Sequence, residues 1–405
     1  MKMQNGSRVK SLRELEYEEE IRQIPLMVYL IVLCLSGIVG NTLVCYINAR
    51  KKRLSTFRLF VIVLASVDLF TSGILLPAEV VIQFWQYTYY NVWICKLNLF
   101  AKVWTAMASG FLLLCIAIDR YRKVCRPFRM QISIRTARDM CLTTGIISIA
   151  VSWISPIIYG VQTREISRYN ITISECAVTE NMKQTLFPLL NNFIFALLFS
   201  GALSAILIMY GFIALRVKRQ IKKKIGIHTK SGGKRKTPET ETKVSNKRRD
   251  DSDDGLEYDM TTSDNTLDPT ITNTGNGMDI EPTKKHGSVR NKIDKTANIK
   301  HGFYAKDSQR KRLRTSLIMF MVSIAFIITY MPVLCILLIR TVDKTFVTSL
   351  TDSGRTAYKF IYRSYFISSA INPLIYGIWD ASFRQSCKTL FKCRNNCVTR
   401  TLSEK

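Results

Sequence analysis

Six stretches of this 405-residue chain carry almost no charge and are long enough to cross a lipid bilayer. Residues 25–49, 140–163, 184–215 and 315–339 hold no charged side chain, 59–78 hold only Asp68, and 97–118 only Lys102. A helix needs about 20 apolar residues to span a hydrocarbon core. A soluble helix shows one apolar stripe and one charged face, whereas these runs are apolar all round, which argues against a soluble bundle. A seventh run, 364–379, is shorter. It reaches spanning length if Lys359 and Arg363 lie near the membrane surface or in a wet cavity. The chain therefore reads as an all-α membrane protein, a seven-transmembrane helix bundle. The spans fall at about 25–49, 57–82, 95–122, 138–161, 184–216, 312–340 and 356–379. The first is too long for a signal peptide, and no small-residue cleavage site follows it.

The formal charge of +28, from 58 Lys and Arg against 30 Asp and Glu, would alone suggest nucleic acid or an acidic surface. Most of the excess instead falls in four segments on one side of the spans. These hold Arg50 to Arg53; Arg122, Lys123, Arg126 and Arg129; Arg216 to Lys224; and Arg384, Lys388, Lys392 and Arg394. Basic loops stay cytoplasmic. This places residues 1–24 outside and the tail 380–405 inside, with anionic membrane lipids, not nucleic acid, as partners of the basic segments. Sequons at Asn5 and Asn170 fall on the outer side and are candidate glycosylation sites. The long third intracellular loop, 217–310, is basic at both ends and has no Lys or Arg across 250–281. Its middle reads as disordered, and its ends as extensions of the flanking helices. Eleven Cys with no Cys-x-x-Cys pair, and three His, leave little from which to build a zinc site.

Short polar motifs interrupt the apolar runs. Asp119-Arg120-Tyr121 ends the third span at the inner face, and Asn372-Pro373-Leu-Ile-Tyr376 ends the seventh. Gly40-Asn41 lies in the first, Leu64-Ala-Ser-Val-Asp68 in the second and Trp153 in the fourth. Together, on these spans, they resemble the rhodopsin-like (class A) G-protein-coupled receptors across roughly residues 25–392, in the style of a neuropeptide-type or orphan member. The resemblance does not extend to the N-terminus or the long loop.

The resemblance implies a plasma-membrane receptor that performs no chemistry and activates a heterotrimeric G protein, with arrestin and receptor kinases as further partners. Ser252 and Thr261 in the long loop are candidate kinase sites. It implies a disulfide between Cys95 and Cys176. It gives Asp119, Arg120 and Tyr121 to G-protein coupling, with Arg120 paired to Asp119 at rest and freed to meet Tyr210 and Tyr376 on activation. The switch set is Tyr210, Phe326, Tyr330, Pro332, Asn372, Pro373 and Tyr376. Pro332 would kink the sixth span. Asp68, Ser109, Ser369 and Asn372 would hold a sodium ion as an allosteric modulator, oxygen ligands suiting a hard cation; a hydrogen-bonded cluster without sodium is the alternative. No other cofactor is implied. Cys387, Cys393 and Cys397 follow the seventh span, where Phe383 to Lys392 alternate apolar and basic residues and read as an amphipathic helix on the inner leaflet. They are candidates for palmitoylation, or free thiols.

The sequence departs from the family in places. Arg310-Lys311-Arg312 stand where an acid often adds a second lock on the arginine, so basal activity is expected. Tyr330 replaces the usual tryptophan, Ala202 stands where the fifth span usually has proline, and Gly110 stands where a bulky apolar residue is usual. Lys102 occupies the position of the aminergic carboxylate, and Phe366 that of the retinal lysine, which argues against both ligand classes. The outer half offers Glu79, Lys102, Arg340, Lys359 and Arg363. Glu79 and Lys102 can pair with each other; the remaining cations point to an extracellular peptide or small ligand with an anionic group. An acidic lipid or metabolite is the alternative. A transporter or channel is more distant, since no internal repeat is visible. An intramembrane enzyme would need a convergent catalytic set, and none is present in the spans.

Overall fold

The computed structural model describes residues 12–84, 91–166, 171–231, 286–343, 345–390 and 392. Asn5, Asn170, Ser252, Thr261, Cys393, Cys397 and the middle of the long loop lie outside the described residues. The chain divides into two units, Met1–Gln220 with Ser308–Lys405, and Ile221–Asp307. Within the second, the described residues are helical.

The first span belongs to α1, Leu12–Ala49. It begins well before the apolar run because Leu, Arg and Glu upstream of Pro25 are strong helix formers. Its 38 residues are about 57 Å long, nearly twice a hydrocarbon core, so its charged first turns project beyond the membrane. The second span is built from α2 (Thr56–Phe70), a π-helical turn (Thr71–Leu75) and α3 (Leu76–Phe84). The wide turn has a local cause: Pro77 has no N–H to give the carbonyl four residues back. Ser55 caps α2 by accepting from the Arg58 N–H.

The third span, α4 (Val92–Cys125), starts at Asn91, whose side chain accepts from the N–H groups of Trp93 and Ile94. It runs through the core, with Met107, Leu112, Leu113 and Ile116 fully buried. The fourth is α5 (Ile134–Ser152), capped by Ser133, followed by the single turn α6 (Ser155–Ile158). It ends short of the expected 161 because Tyr159 enters a strand. β1 (Tyr159–Ile166) pairs antiparallel with β2 (Ile171–Val178), in the register Tyr159↔Val178 to Ile166↔Ile171. This hairpin is the one departure, among the described residues, from an all-helical chain. The turn α7 (Glu180–Lys183) leads to α8 (Phe187–Ser231), and α9 (His286–Val342) carries Pro332 inside it.

The seventh span is not one continuous helix. After α10 (Phe346–Ser349), α11 (Asp352–Tyr362) stops at Arg363, a 3₁₀ turn covers Ser364–Phe366, and α12 (Ile367–Trp379) completes the crossing. Among the described residues six helices are long and apolar enough to span alone, and this one is not. Residues 381–390 form a further short helix with Phe383 buried and Arg384 and Lys388 exposed.

Small residues set how closely the helices approach. A Cβ on Gly40 would lie 2.6 Å from Pro373 Cβ, and one on Gly37 would lie 2.1 Å from Ser72 Oγ. α1 therefore packs backbone to side chain against α12 and the second span. Asn41 fastens the join, its Nδ2 donating to Ser369 O at 2.8 Å and Gly37 O at 2.9 Å. Leu35, Val39, Ile146, Leu207 and Ile208 are exposed on outward faces, as a lipid-facing surface requires.

Candidate functional site

The polar side chains gather at three levels of the bundle. At one end, Cys95 in the first turn of α4 is disulfide-bonded to Cys176 of β2, with Cα atoms 5.7 Å apart. The bridge lays the hairpin across the third span.

Near that end, Glu79 is almost fully buried on α3 and takes two cations. Lys102 Nζ of α4 donates to its Oε2, and Arg363 Nε donates to its Oε1 at 2.7 Å. Gln83 adds a weaker bond to Oε1 at 3.3 Å. The break in the seventh span is what delivers Arg363, whose Nη1 also donates to Lys359 O at 3.1 Å. Two partly buried cations on one buried carboxylate leave a positive surplus where desolvation makes charge expensive.

Lys359 is held by Glu19, a residue on the projecting turns of α1 that the sequence reading passed over. Helical spacing was the signal: Gln23, Leu26 and Leu30 are buried, and Glu19 continues their face one turn back. Arg340 stands apart from both pairs. Its Nη1 donates to Tyr358 Oη at 3.1 Å, and Tyr358 stacks on Tyr362. Lys359 is thus paired with a carboxylate outside the triad, while Arg363 shares the one carboxylate of Glu79 with Lys102. Just beyond α9, the Asp343 carboxylate accepts from the Thr345 hydroxyl at 2.6 Å and N–H at 2.8 Å, which holds it below the usual carboxylate range.

At mid-bundle, Asp68 is buried and accepts from Asn372 Nδ2 at 2.8 Å. Ser109 and Ser369 are buried as well. Ser72 Oγ and Asn41 Oδ1 are buried with no hydrogen-bond partner. Carboxylate, hydroxyl and amide oxygens are the donors that a hard cation would take. Among the described residues no cluster of three His, Cys, Asp or Glu could hold another metal.

Beside this level lies a continuous aromatic stack. Phe195, Phe199, Phe326, Tyr330, Tyr365 and Phe366 follow one another with ring centroids 4.2 to 5.7 Å apart. It accounts for the unusual Gly110. A Cβ there would meet Phe199 at 3.6 Å and Phe326 at 3.7 Å, so the missing side chain is replaced by rings from α8 and α9.

At the far end, Arg120 Nε donates to Asp119 Oδ2 at 3.1 Å, both side chains being buried. Thr56 Oγ1 donates to Asp119 Oδ1 at 3.1 Å, and Lys123 Nζ lies 3.0 Å from the same oxygen. Arg120 also sits over the Phe57 ring at 5.2 Å. Tyr121 faces Phe212, with centroids 6.1 Å apart, and not the carboxylate. Tyr210 and Tyr376 are buried in the core cluster, and Tyr376 meets Phe383 of the 381–390 helix. Cys387 packs, partly buried, against that same cluster.

A membrane bundle with a disulfide-tied hairpin and a charged triad toward one end, and a buried Asp-Arg pair at the other, has the build of a seven-helix membrane receptor. The 7 transmembrane receptor (rhodopsin family) model matches residues 40–376, and the chain belongs to that family. Among curated proteins it is similar to neuropeptide FF receptor 2 of Rattus norvegicus, at 21% identity over 87% of this chain and 69% of the relative. It is also similar to the cholecystokinin receptor type A of Homo sapiens, at 23% over 92% and 81%. A match to neuropeptide FF receptor 2 of Mus musculus reaches 26% but covers only 49% of each chain.

Proposed function

We propose that this chain is a plasma-membrane G-protein-coupled receptor for an extracellular peptide that carries an anionic group. The N-terminus and the disulfide end face outside, and the C-terminus faces the cytoplasm. The observation that carries the ligand reading is the triad in which Lys102 and Arg363, both partly buried, share the one buried carboxylate of Glu79. An anionic group entering there meets two oriented cations with one charge left uncompensated. Arg340, whose partner is a neutral phenol, is a second contact. Relatives named for neuropeptide FF and cholecystokinin favour a peptide.

The ligand acts by binding one arrangement of the bundle more tightly than another. Pro332 interrupts the backbone ladder of α9, which makes that helix the moving part. The aromatic stack through Phe326 and Tyr330 joins α8, α9 and the seventh span, so repacking at Tyr365 reaches α9 directly. Movement of α9 opens the cytoplasmic end, where Arg120 leaves Asp119 and a heterotrimeric G protein docks. Asp68, Ser109, Ser369 and Asn372 would hold sodium, whose charge would favour the closed arrangement. Arrestin and receptor kinases would act on the cytoplasmic segments.

The test is nucleotide exchange by a panel of G proteins in membranes bearing the full chain, with a secreted-peptide library as ligands. Arg363→Glu and Arg340→Glu should abolish the response to an anionic agonist while surface expression persists. Full retention overturns the pocket, and an acidic lipid as the active fraction would replace the peptide reading. Asp68→Asn should remove the effect of sodium on agonist binding; an unchanged sodium effect would sink the ion site.

A further inference from the structure

The Asp119 carboxylate serves more donors than the Asp-Arg pairing needs. Its Oδ2 accepts from Arg120 and lies 3.1 Å from Lys123 Nζ, while its Oδ1 accepts from Thr56 and lies 3.0 Å from the same Nζ. Lys123 also donates to Thr56 Oγ1 at 2.6 Å, which closes a ring of Lys123, Thr56 and Asp119. The spacing explains the contact, since Lys123 follows Asp119 by one helical turn on α4. The Lys123 side chain is about a fifth exposed, against 4% for Arg120 and 1% for Asp119. Asp119 is thus one buried negative charge divided between two cations.

The base of α9 reads Arg310-Lys311-Arg312, and Arg312 lies near enough to Lys123 to repel it. Arg120 has Asp119 as its acidic partner and the Phe57 ring as its other neighbour. In a medium of low dielectric, a second cation on the same carboxylate weakens the hold on the first.

We propose that Lys123 is a positioning residue that competes with Arg120 for Asp119, so that the arginine is held loosely and freed easily. Lys123 thereby sets basal signalling in a chain whose sixth span supplies no acid. The exchange readout rests on the receptor function proposed above; the pairing itself does not.

Basal nucleotide exchange without ligand is measured on the full chain in membranes, normalised to surface expression. Lys123→Met gives Asp119 wholly to Arg120, so basal exchange should fall about 5-fold, the change that about 1 kcal/mol makes in a two-state equilibrium. In an Asp119→Asn background the same substitution should have no effect. Unchanged or raised basal exchange for K123M overturns the proposal. So does an equal fall in the D119N background, which would mean that Lys123 meets the G protein itself. Should K123M fail to reach the surface, Lys123→Gln keeps a donor for Thr56 without the charge, and the same outcomes are read from it.

A chain that activates no G protein refutes the receptor reading alone. The competition is then read from thermal unfolding of the purified full chain in detergent. The coupling between positions 119 and 120, from R120Q, D119N and their combination, should be larger with Gln at 123 than with Lys. Equal or smaller coupling overturns the competition.

Discussion

Glu79 shows how much depends on a single carboxylate inside a membrane bundle. Glu79→Gln would leave Lys102 and Arg363, both partly buried, side by side with no carboxylate between them. Breaking a buried ion pair by removing one partner costs about 3–5 kcal/mol, so the variant should unfold at lower temperature in detergent, and E79Q/K102M should recover much of the loss. An E79Q protein as stable as the parent would show that water reaches the triad freely. The ingredients of this site were legible in the sequence as charges in otherwise apolar runs. So was the pairing of Glu79 with Lys102, whereas the partners of Arg363 and Lys359 were not. Arg363 reaches Glu79 only because α11 stops there, and Lys359 meets Glu19 only because α1 starts 13 residues before its apolar run. Both depend on where helices begin and break, which hydropathy does not report. Gly40 makes the same point for packing. A Gly40→Ala Cβ would press on the Pro373 ring at 2.6 Å, and overpacking of this kind costs about 1–3 kcal/mol. A lower midpoint in detergent unfolding, with α-helical content unchanged, is the expected outcome.

At the scale of elements, the departures from the family pattern compensate one another. Gly110 on α4 makes room, Phe199 on α8 and Phe326 on α9 fill it, and Tyr330 extends the stack to Tyr365. Read one at a time, Gly110 and Tyr330 look like gaps in a conserved relay; in space they belong to one layer. Gly110→Leu should therefore be harmful although it restores the usual residue type, losing about 1–3 kcal/mol by displacing two rings. A G110L chain of undiminished thermal stability would mean that the rings move aside at no cost. Pro332→Ala should straighten α9, restore one backbone bond and lower the maximal response to agonist; an unaltered maximum would place the moving hinge elsewhere. The wide turn in the second span was equally invisible as a shape, though its cause, Pro77, was in plain view.

For the whole molecule, the number and order of the spans could be read directly, because uninterrupted apolar runs have few other uses. The hairpin after the fourth span could not, since Tyr159 to Val178 mixes charged and apolar residues as a surface loop would. Its position relies on the Cys95–Cys176 bridge, which closes a separation of 81 residues. Cys95→Ala with Cys176→Ala should lower stability by about 2–5 kcal/mol and weaken ligand binding, with both effects measured on surface-expressed chain. Retained affinity would show that the hairpin stays in place through its backbone bonds alone.

The interrupted seventh span also bears on how the chain is made. Each Arg or Lys in a span opposes its entry into the bilayer, less near an end than at the centre, and α12 alone offers only 13 residues. The carboxylates that neutralise Lys359 and Arg363 are Glu19 and Glu79, on the two spans synthesised first. The last span therefore carries cations whose counter-charges lie on the first two helices and not within itself. Its insertion is most favourable once the two ends of the chain have met.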